Sequence, residues 1–266
     1  MKYILFLIVS LVLLTSCQEG KNNSDESEIK VKHHAQREQL KREYKKDFVR
    51  YEIDDKLYKI NSSNWSIEPI DPQTNKKVVL LTIDDAPDQY SVEMAKILKE
   101  HNVSAIFFVN GHFLQSEEGR LALREIVDLG HMIGNHTMNH HNLRDLTDKE
   151  TNDEITTLNN LIEEVTGTSP VFFRAPFGIN TEASLKIVAS EEMSMMNWTY
   201  GYDWEKEFMS KDALADIMVN SPLLLDGANI LMHDREWTKE ALSDIVKGLR
   251  NKDYEIINPN TIKVGD

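Results

Sequence analysis

Short apolar runs alternate with stretches of helical spacing over most of this chain, and that alternation confines it to a mainly parallel α/β fold, either a barrel or an open sheet. The run Val78 to Ile83 is β-branched, nearly free of polar side chains and followed by Asp84-Asp85, as expected of a strand buried on both faces. Ser91 to Asn102 then has helical spacing through Val92, Ala95, Ile97 and Leu98, and Ala105 to Val109 is a second buried strand ended by Asn110-Gly111. A helix over Leu121 to Leu129, Gly130, a short strand, a helix over Asp148 to Val165, a strand over Val171 to Phe173 and a helix over Thr181 to Ser190 follow. Farther on, Asn229 to Met232 reads as a strand, Lys239 to Arg250 as a helix and Tyr254 to Ile257 as a last strand, with no internal repeat.

A chain of 266 residues, 41% hydrophobic, can bury one core of about 200 residues with chain left over, or two small ones. Its 30 basic and 44 acidic residues leave a formal charge of −14, so nucleic acid finds no general attraction to this surface. The single cysteine excludes an internal disulfide and a multi-cysteine zinc site. That cysteine, Cys17, closes an apolar run from Ile4 to Leu14 that follows Lys2 and is too short to span a bilayer as a mature helix. Residues 1–17 are therefore expected to be an export signal. Leu14-Thr15-Ser16-Cys17 resembles a bacterial lipobox, which implies a lipidated Cys17 and an extracytoplasmic protein anchored to the cell membrane; an ordinary signal peptide is the alternative. Residues 18–60 are expected to form a charged tether, with a charged helix near Ala35 to Lys46 and a small hairpin over Phe48 to Ile60 turning at Asp54-Asp55. The remaining residues, 61–266, carry the α/β body.

Polar residues at the carboxyl ends of such strands are functional candidates, because in barrels that edge carries the active site. Asp84-Asp85 is the first. Two adjacent carboxylates repel, and they persist most easily if one meets a cation and the other a cationic side chain; a helix N-cap beside a solvated acid is the plain alternative. Next come His136 and His140, four apart, so that on a helical turn both imidazoles leave one face and reach one metal ion. His131 and His141 are expected in core or surface roles. In Arg174-Ala175-Pro176-Phe177-Gly178 a fixed guanidinium can hold a carboxylate, and the turn can present backbone N–H groups to a developing oxyanion. Asp203-Trp204 closes an aromatic loop from Trp198, suited to a sugar site or to core packing. His233 stands where the apolar run Ile230 to Met232 stops.

In this order the five places resemble the motif series of the polysaccharide deacetylases, the NodB-like enzymes of carbohydrate esterase family 4. Over Val78 to Ile257, Thr82 to Pro87 is similar to Thr-Phe-Asp-Asp-Gly-Pro, His136 to His140 to His-(Ser/Thr)-x-x-His, and Arg174 to Gly178 to Arg-x-Pro-(Tyr/Phe)-Gly. Asp203-Trp204 and Leu231 to His233 match the ends of the fourth and fifth motifs. The resemblance implies a distorted (β/α) barrel with fewer than eight strands and a divalent metal ion, zinc first and cobalt or another ion as alternatives, held by Asp85, His136 and His140. It implies Asp84 as general base held by Arg174, and His233 as general acid supported by Asp203 and packed by Trp204. Phe177 would supply the oxyanion N–H, with Pro176 and Leu231 lining the substrate's place. Ala86 replaces the usual glycine, Ile83 a phenylalanine, and Tyr200 stands where the fourth motif often has an earlier aspartate.

The implied activity is removal of N-acetyl groups from N-acetylglucosamine units of a cell-surface polysaccharide, peptidoglycan first. An O-acetyl esterase, a deacetylase of an exopolysaccharide or chitin-type polymer, and a silent glycan-binding module are the rivals. Nothing in the sequence calls for a protein partner.

Overall fold

The computed structural model describes residues 56–265. The export signal, Cys17, the charged helix and the first half of the expected hairpin lie outside the described residues. The second half forms differently from the expectation. Tyr58–Ile60 (β1) pairs antiparallel with Ile67–Pro69 (β2), a strand the sequence reading lacks, across Asn61 to Ser66. Tyr58 is buried and its other side bridges to Ile262, so β1 packs on the body instead of belonging to a tether.

Seven parallel strands make the main sheet: β3 (Val78–Ala86), β4 (Ile106–Val109), β5 (Met132–Asn135), β6 (Phe172–Phe173), β7 (Ser194–Met195), β8 (Ala228–His233) and β9 (Glu255–Ile256). Their order is β7-β6-β5-β4-β3-β8, with β9 joined to the start of β3 at Val78 and Val79. The fold is thus α/β with a curled parallel sheet of fewer than eight strands, as the resemblance implied. β7 is absent from the sequence reading because it is two residues long and carries no apolar run.

Among the described residues six helices connect the strands: α1 (Ser91–Glu100), α2 (Glu117–Asp128), α3 (Asp148–Thr166), α4 (Glu182–Ser190), α5 (Lys211–Asn220) and α6 (Glu236–Asn251). Their ends follow capping chemistry more than apolar spacing. α2 starts four residues before the expected Leu121, because the Ser116 hydroxyl accepts the Gly119 N–H at 3.0 Å. Thr147 and Glu150 form a reciprocal capping box for α3, which stops at Gly167 with φ 75°. α5 was missed, although Leu214 and Met218, both buried, have its spacing.

β3 explains its own composition. Val79, Leu81 and Ile83 pack with helix side chains such as Met94, Leu98, Leu242 and Ile245, while Val78 and Leu80 enter a second cluster with Ile106, Phe108 and Phe172. Alternate residues of a strand face opposite ways, so a strand with a core on each side must be apolar throughout. On the second face the series Val78, Leu80, Thr82, Asp84 turns polar toward the carboxyl end, and all four are buried. There the sheet prepares its site.

Candidate active site

The sheet edge brings the candidates together because their strands end together. Asp84 lies in register with His233 of β8, His136 follows the end of β5, and Arg174 follows β6. In a regular strand Asp84 and Asp85 would point to opposite faces. A register shift between Ile83 and Ala86 and a left-handed Asp85, φ 60°, place both carboxylates at one mouth. Both are strand residues, and neither is a helix N-cap.

Asp84 is 2% exposed and Arg174 is fully buried. Arg174 Nη1 donates to Asp84 Oδ1 at 2.6 Å and to the Thr82 hydroxyl at 2.9 Å. Its Nε and Nη2 donate to the carbonyls of Met196 and Asn197 at 3.1 and 2.9 Å, and its guanidinium lies 4.2 Å from the centre of the Phe108 ring. A charge so deep requires a counter-ion and full hydrogen bonding, and Arg174 has both. Asp84 Oδ2 remains at 3.5 Å from His136 Nε2.

His136 and His140 do not lie on a helical turn as the spacing suggested. They leave β5 on a loop in which Thr137 (φ 71°) and His140 (φ 56°) are left-handed. Local bonds hold that shape. Asn110 Nδ2 donates to the His136 carbonyl at 2.6 Å, the Thr137 N–H reaches Asn135 Oδ1 at 2.8 Å, and buried Glu154 of α3 accepts the Asn139 N–H at 2.8 Å. The result is a triad in which Asp85, His136 and His140 each offer one ligand atom, all within 4.8 Å of one another. Asp85 Oδ1 lies 3.6 Å from His140 Nε2 and 4.0 Å from His136 Nε2.

The donors fit a divalent ion. His136 Nδ1 sits 2.7 Å from the Arg174 carbonyl, which only an N–H can satisfy, so its Nε2 keeps the lone pair facing the triad. Burial and neighbouring His136 hold the His140 pKa below the usual 6.5 against the pull of Asp85 and Asp84, which leaves a neutral imidazole at pH 7. Burial pushes the Asp85 carboxyl up, but His136, His233 and His140, which are protonated in the acid range where a carboxyl titrates, and the Arg235 guanidinium outweigh it and lower its pKa below the usual carboxylate value. Two imidazoles and one carboxylate with room for further ligands is the pattern of a catalytic site, not a closed structural one.

Across the mouth, His233 Nδ1 and Asp203 Oδ1 are 2.7 Å apart, and Asp203 Oδ2 accepts the His233 N–H at 2.6 Å and the Thr238 hydroxyl at 2.8 Å. Burial disfavours the imidazolium, but the Asp203 hydrogen bond and charge, with Asp84 and Asp85, prevail and raise the His233 pKa above 6.5. Two exposed rings flank the opening. Phe177, left-handed at φ 59° and 62% exposed, stands edge-on to His140 at 4.8 Å, and Trp204, 42% exposed, stands edge-on to His233 at 5.4 Å. In the Arg174–Gly178 turn the N–H groups of Gly178 and Ile179 bond to Ala175 and Pro176 at 3.0 and 3.1 Å. Pro176 is buried beneath that turn and Leu231 is buried in β8, its N–H bonded to the Tyr200 carbonyl at 2.9 Å.

Other expectations resolve plainly. His131 is buried, its Nε2 2.9 Å from the Ala95 carbonyl, and burial lowers its pKa to about 4, so it is a neutral core residue. His141 is a surface residue 3.4 Å from Glu154. Tyr200 faces the core, where its hydroxyl donates to the Met218 carbonyl at 2.6 Å. Sequence reasoning missed Asp234 and Arg235. Buried Asp234 accepts the N–H groups of Asp88, Tyr90 and Ser91 at 3.0, 2.7 and 2.7 Å, tying the chain beyond Asp85 to β8. Arg235 donates to Asp85 Oδ2 at 3.0 Å. The pairing of Asp84-Asp85 with a second acid and a base just after His233 was the available signal.

Known proteins resemble this chain in sequence and in fold. A polysaccharide deacetylase family model matches residues 71–196, which include Asp84, Asp85, His136, His140, Arg174 and Phe177. A peptidoglycan-N-acetylglucosamine deacetylase of Bacillus cereus is 31% identical over 67% of this chain, and the match spans 65% of that protein's length. A chitooligosaccharide deacetylase of Rhizobium leguminosarum is 32% identical over 68% of this chain and 85% of its own. Among solved structures, a peptidoglycan N-acetylglucosamine deacetylase superposes with a TM-score of 0.63 at 29% identity, covering 70% of this chain and 87% of that one. A CE4 family pseudoenzyme from Bacillus anthracis gives the same TM-score at 31% identity over 70% of this chain and 64% of its own. With its curled parallel sheet, its convergent Asp/His/His triad and these relatives, the chain belongs to the polysaccharide deacetylase family.

Proposed function

We propose that this chain is a metal-dependent hydrolase that removes N-acetyl groups from N-acetylglucosamine units of a cell-surface polysaccharide, with peptidoglycan the first substrate to test. The observation that carries the reading is the division of labour across one mouth. Asp84 is pinned through Oδ1 by Arg174 and keeps Oδ2 toward the triad, while His233 is pinned through Nδ1 by Asp203 and keeps Nε2 toward the same opening. Amide hydrolysis needs a proton taken from water and a proton given to the departing amine, and these are two such groups on two sides. A divalent ion, zinc first, held by Asp85, His136 and His140 would supply Lewis acidity at the acetyl carbonyl. Asp84 Oδ2 accepts the proton of the attacking water, Arg174 fixes its orientation, the Phe177 N–H steadies the oxyanion, and His233 Nε2 protonates the sugar nitrogen. Acetate and a glucosamine unit leave. Phe177 and Trp204 offer exposed rings on which a sugar face can stack, with Pro176 and Leu231 behind them.

The test is acetate release from purified peptidoglycan, chitin oligomers, poly-N-acetylglucosamine and an O-acetylated glycan, with a chelator and with metal restored. Release from N-acetyl polymers that chelator abolishes and metal restores is the expected result. Release from O-acetyl substrates alone makes the chain an esterase. Saturable glycan binding without release from any substrate makes it a silent binding module. We further propose a lipid anchor at Cys17 that keeps the enzyme outside the cytoplasm beside the wall, a reading supported by the lipobox-like Leu14-Thr15-Ser16-Cys17 at the end of an apolar run. Cys17→Ser is then expected to move the protein from membrane to medium, and unchanged fractionation would sink the anchor.

A further inference from the structure

Arg235 occupies a position where helix formation asks for something else. It is the N-cap of α6, where Ser, Thr, Asp or Asn would accept a hydrogen bond from the first turn, and its side chain makes no capping bond. A cation there also meets the positive end of the helix dipole. The guanidinium instead reaches back toward the mouth, with Nη1 donating to the Asp234 carbonyl at 2.8 Å and Nη2 to Asp85 Oδ2 at 3.0 Å. The other oxygen of Asp85 faces the two imidazoles of the triad. One carboxylate is thus divided between a fixed positive charge and the candidate metal position. Residues that break a local rule and reach a site are where function outweighs fold.

We infer that Arg235 is a positioning residue acting through Asp85, holding Oδ2 so that Oδ1 alone is offered to a divalent ion, and withdrawing charge from that carboxylate. The inference rests on the metal-site reading above. Two effects oppose each other. Fixing the Asp85 side chain favours binding by a small entropic gain, because Asp is short and has few rotamers to lose. A unit positive charge held beside a doubly charged ion repels it, and Coulomb energy over a few ångströms in a partly buried site is the larger quantity. Repulsion therefore decides the sign. Arg235 loosens the hold on the ion, and the less charge Asp85 donates, the more strongly the site polarises an acetamide carbonyl.

The experiment uses the full chain with Arg235→Asn and Arg235→Lys, measuring Zn²⁺ and Co²⁺ affinity by competition with a chromogenic chelator, then kcat and KM on chitin oligomers. Asn suits an N-cap, so that variant is expected to fold with an unchanged or raised Tm. It should bind either ion about tenfold tighter and turn over about tenfold slower with little change in KM, the scale on which groups behind metal ligands act. Lys keeps the charge and should stay within about threefold of the parent in affinity. Damage to the fold cannot tighten metal binding, so a gain in affinity separates this role from a structural one. Equal or weaker binding by Arg235→Asn overturns the inference and leaves the metal site standing, and tighter binding with unchanged kcat overturns it as well. A parent chain that binds neither ion overturns both.

Discussion

Asp84→Asn is expected to lower amide deacetylation by at least about 10²- to 10⁴-fold, the usual contribution of a general base, while the Asp85, His136 and His140 triad still takes up metal. The amide keeps an oxygen for Arg174 Nη1, so the contact at 2.6 Å can persist, but it cannot accept a proton from water. The substitution also has a second effect that follows from burial. Arg174 is 0% exposed and Asp84 is its carboxylate partner, so the variant leaves a buried guanidinium without a counter-charge. Breaking a buried ion pair from one side typically costs about 3–5 kcal/mol. A lower Tm should therefore accompany the lost activity, and assays belong well below it. Retention of more than a tenth of the parent rate by folded, metal-loaded Asp84→Asn would remove Asp84 from the role of base.

His233→Ala is expected to lose about 10²- to 10⁴-fold on the amide as well, but the loss should shrink on acetyl esters, whose leaving group needs no proton from the enzyme. Asp84→Asn should gain little from the same change of substrate, because water must still be deprotonated. The sign of the pH dependence follows from the raised pKa of His233. A general acid must begin protonated, so kcat/KM should fall as pH rises through that value. Asp203→Asn removes the largest influence raising it, so the alkaline limb of the profile should move to lower pH and the rate at neutrality should drop. An alkaline limb that stays in place in Asp203→Asn, or an ester that rescues both single variants equally, would overturn the assignment of acid and base.

Much of the frame was legible because β3, β4 and the amphipathic helices advertise themselves in apolar spacing, and the strand ends could be read from the polar residues that interrupt it. The pairing of one of the two adjacent carboxylates with a cationic side chain was also legible, since like charges side by side demand it, and Arg174 meets Asp84 in that way. What escaped was set by tertiary context. β7 is too short to show a period, and β1 finds its partner in β2, a strand with too few residues to announce itself. The route by which His136 and His140 converge was read as helical because spacing of four is all a sequence displays; the left-handed Thr137 and His140 are held by Asn110, Asn135 and Glu154, of which only Asn135 adjoins the pair in sequence. Arg235 escaped for the opposite reason, as an ordinary surface cation to the eye until its helix and its target are both known.

Four of the non-glycine residues with positive φ, Asp85, Thr137, His140 and Phe177, lie at the mouth. Side chains with a Cβ sit uncomfortably in that region, at about 1–3 kcal/mol each, and the surrounding bonds must hold them there. The rim of the mouth is therefore under tension while the rest of the sheet is not, and thermal hardiness and the geometry of the site draw the same positions in opposite directions. Selection for heat resistance alone, in a laboratory or a hot habitat, would favour glycine or relaxed backbone at these four places and erode the mouth first, producing a sturdier barrel with a blunted edge.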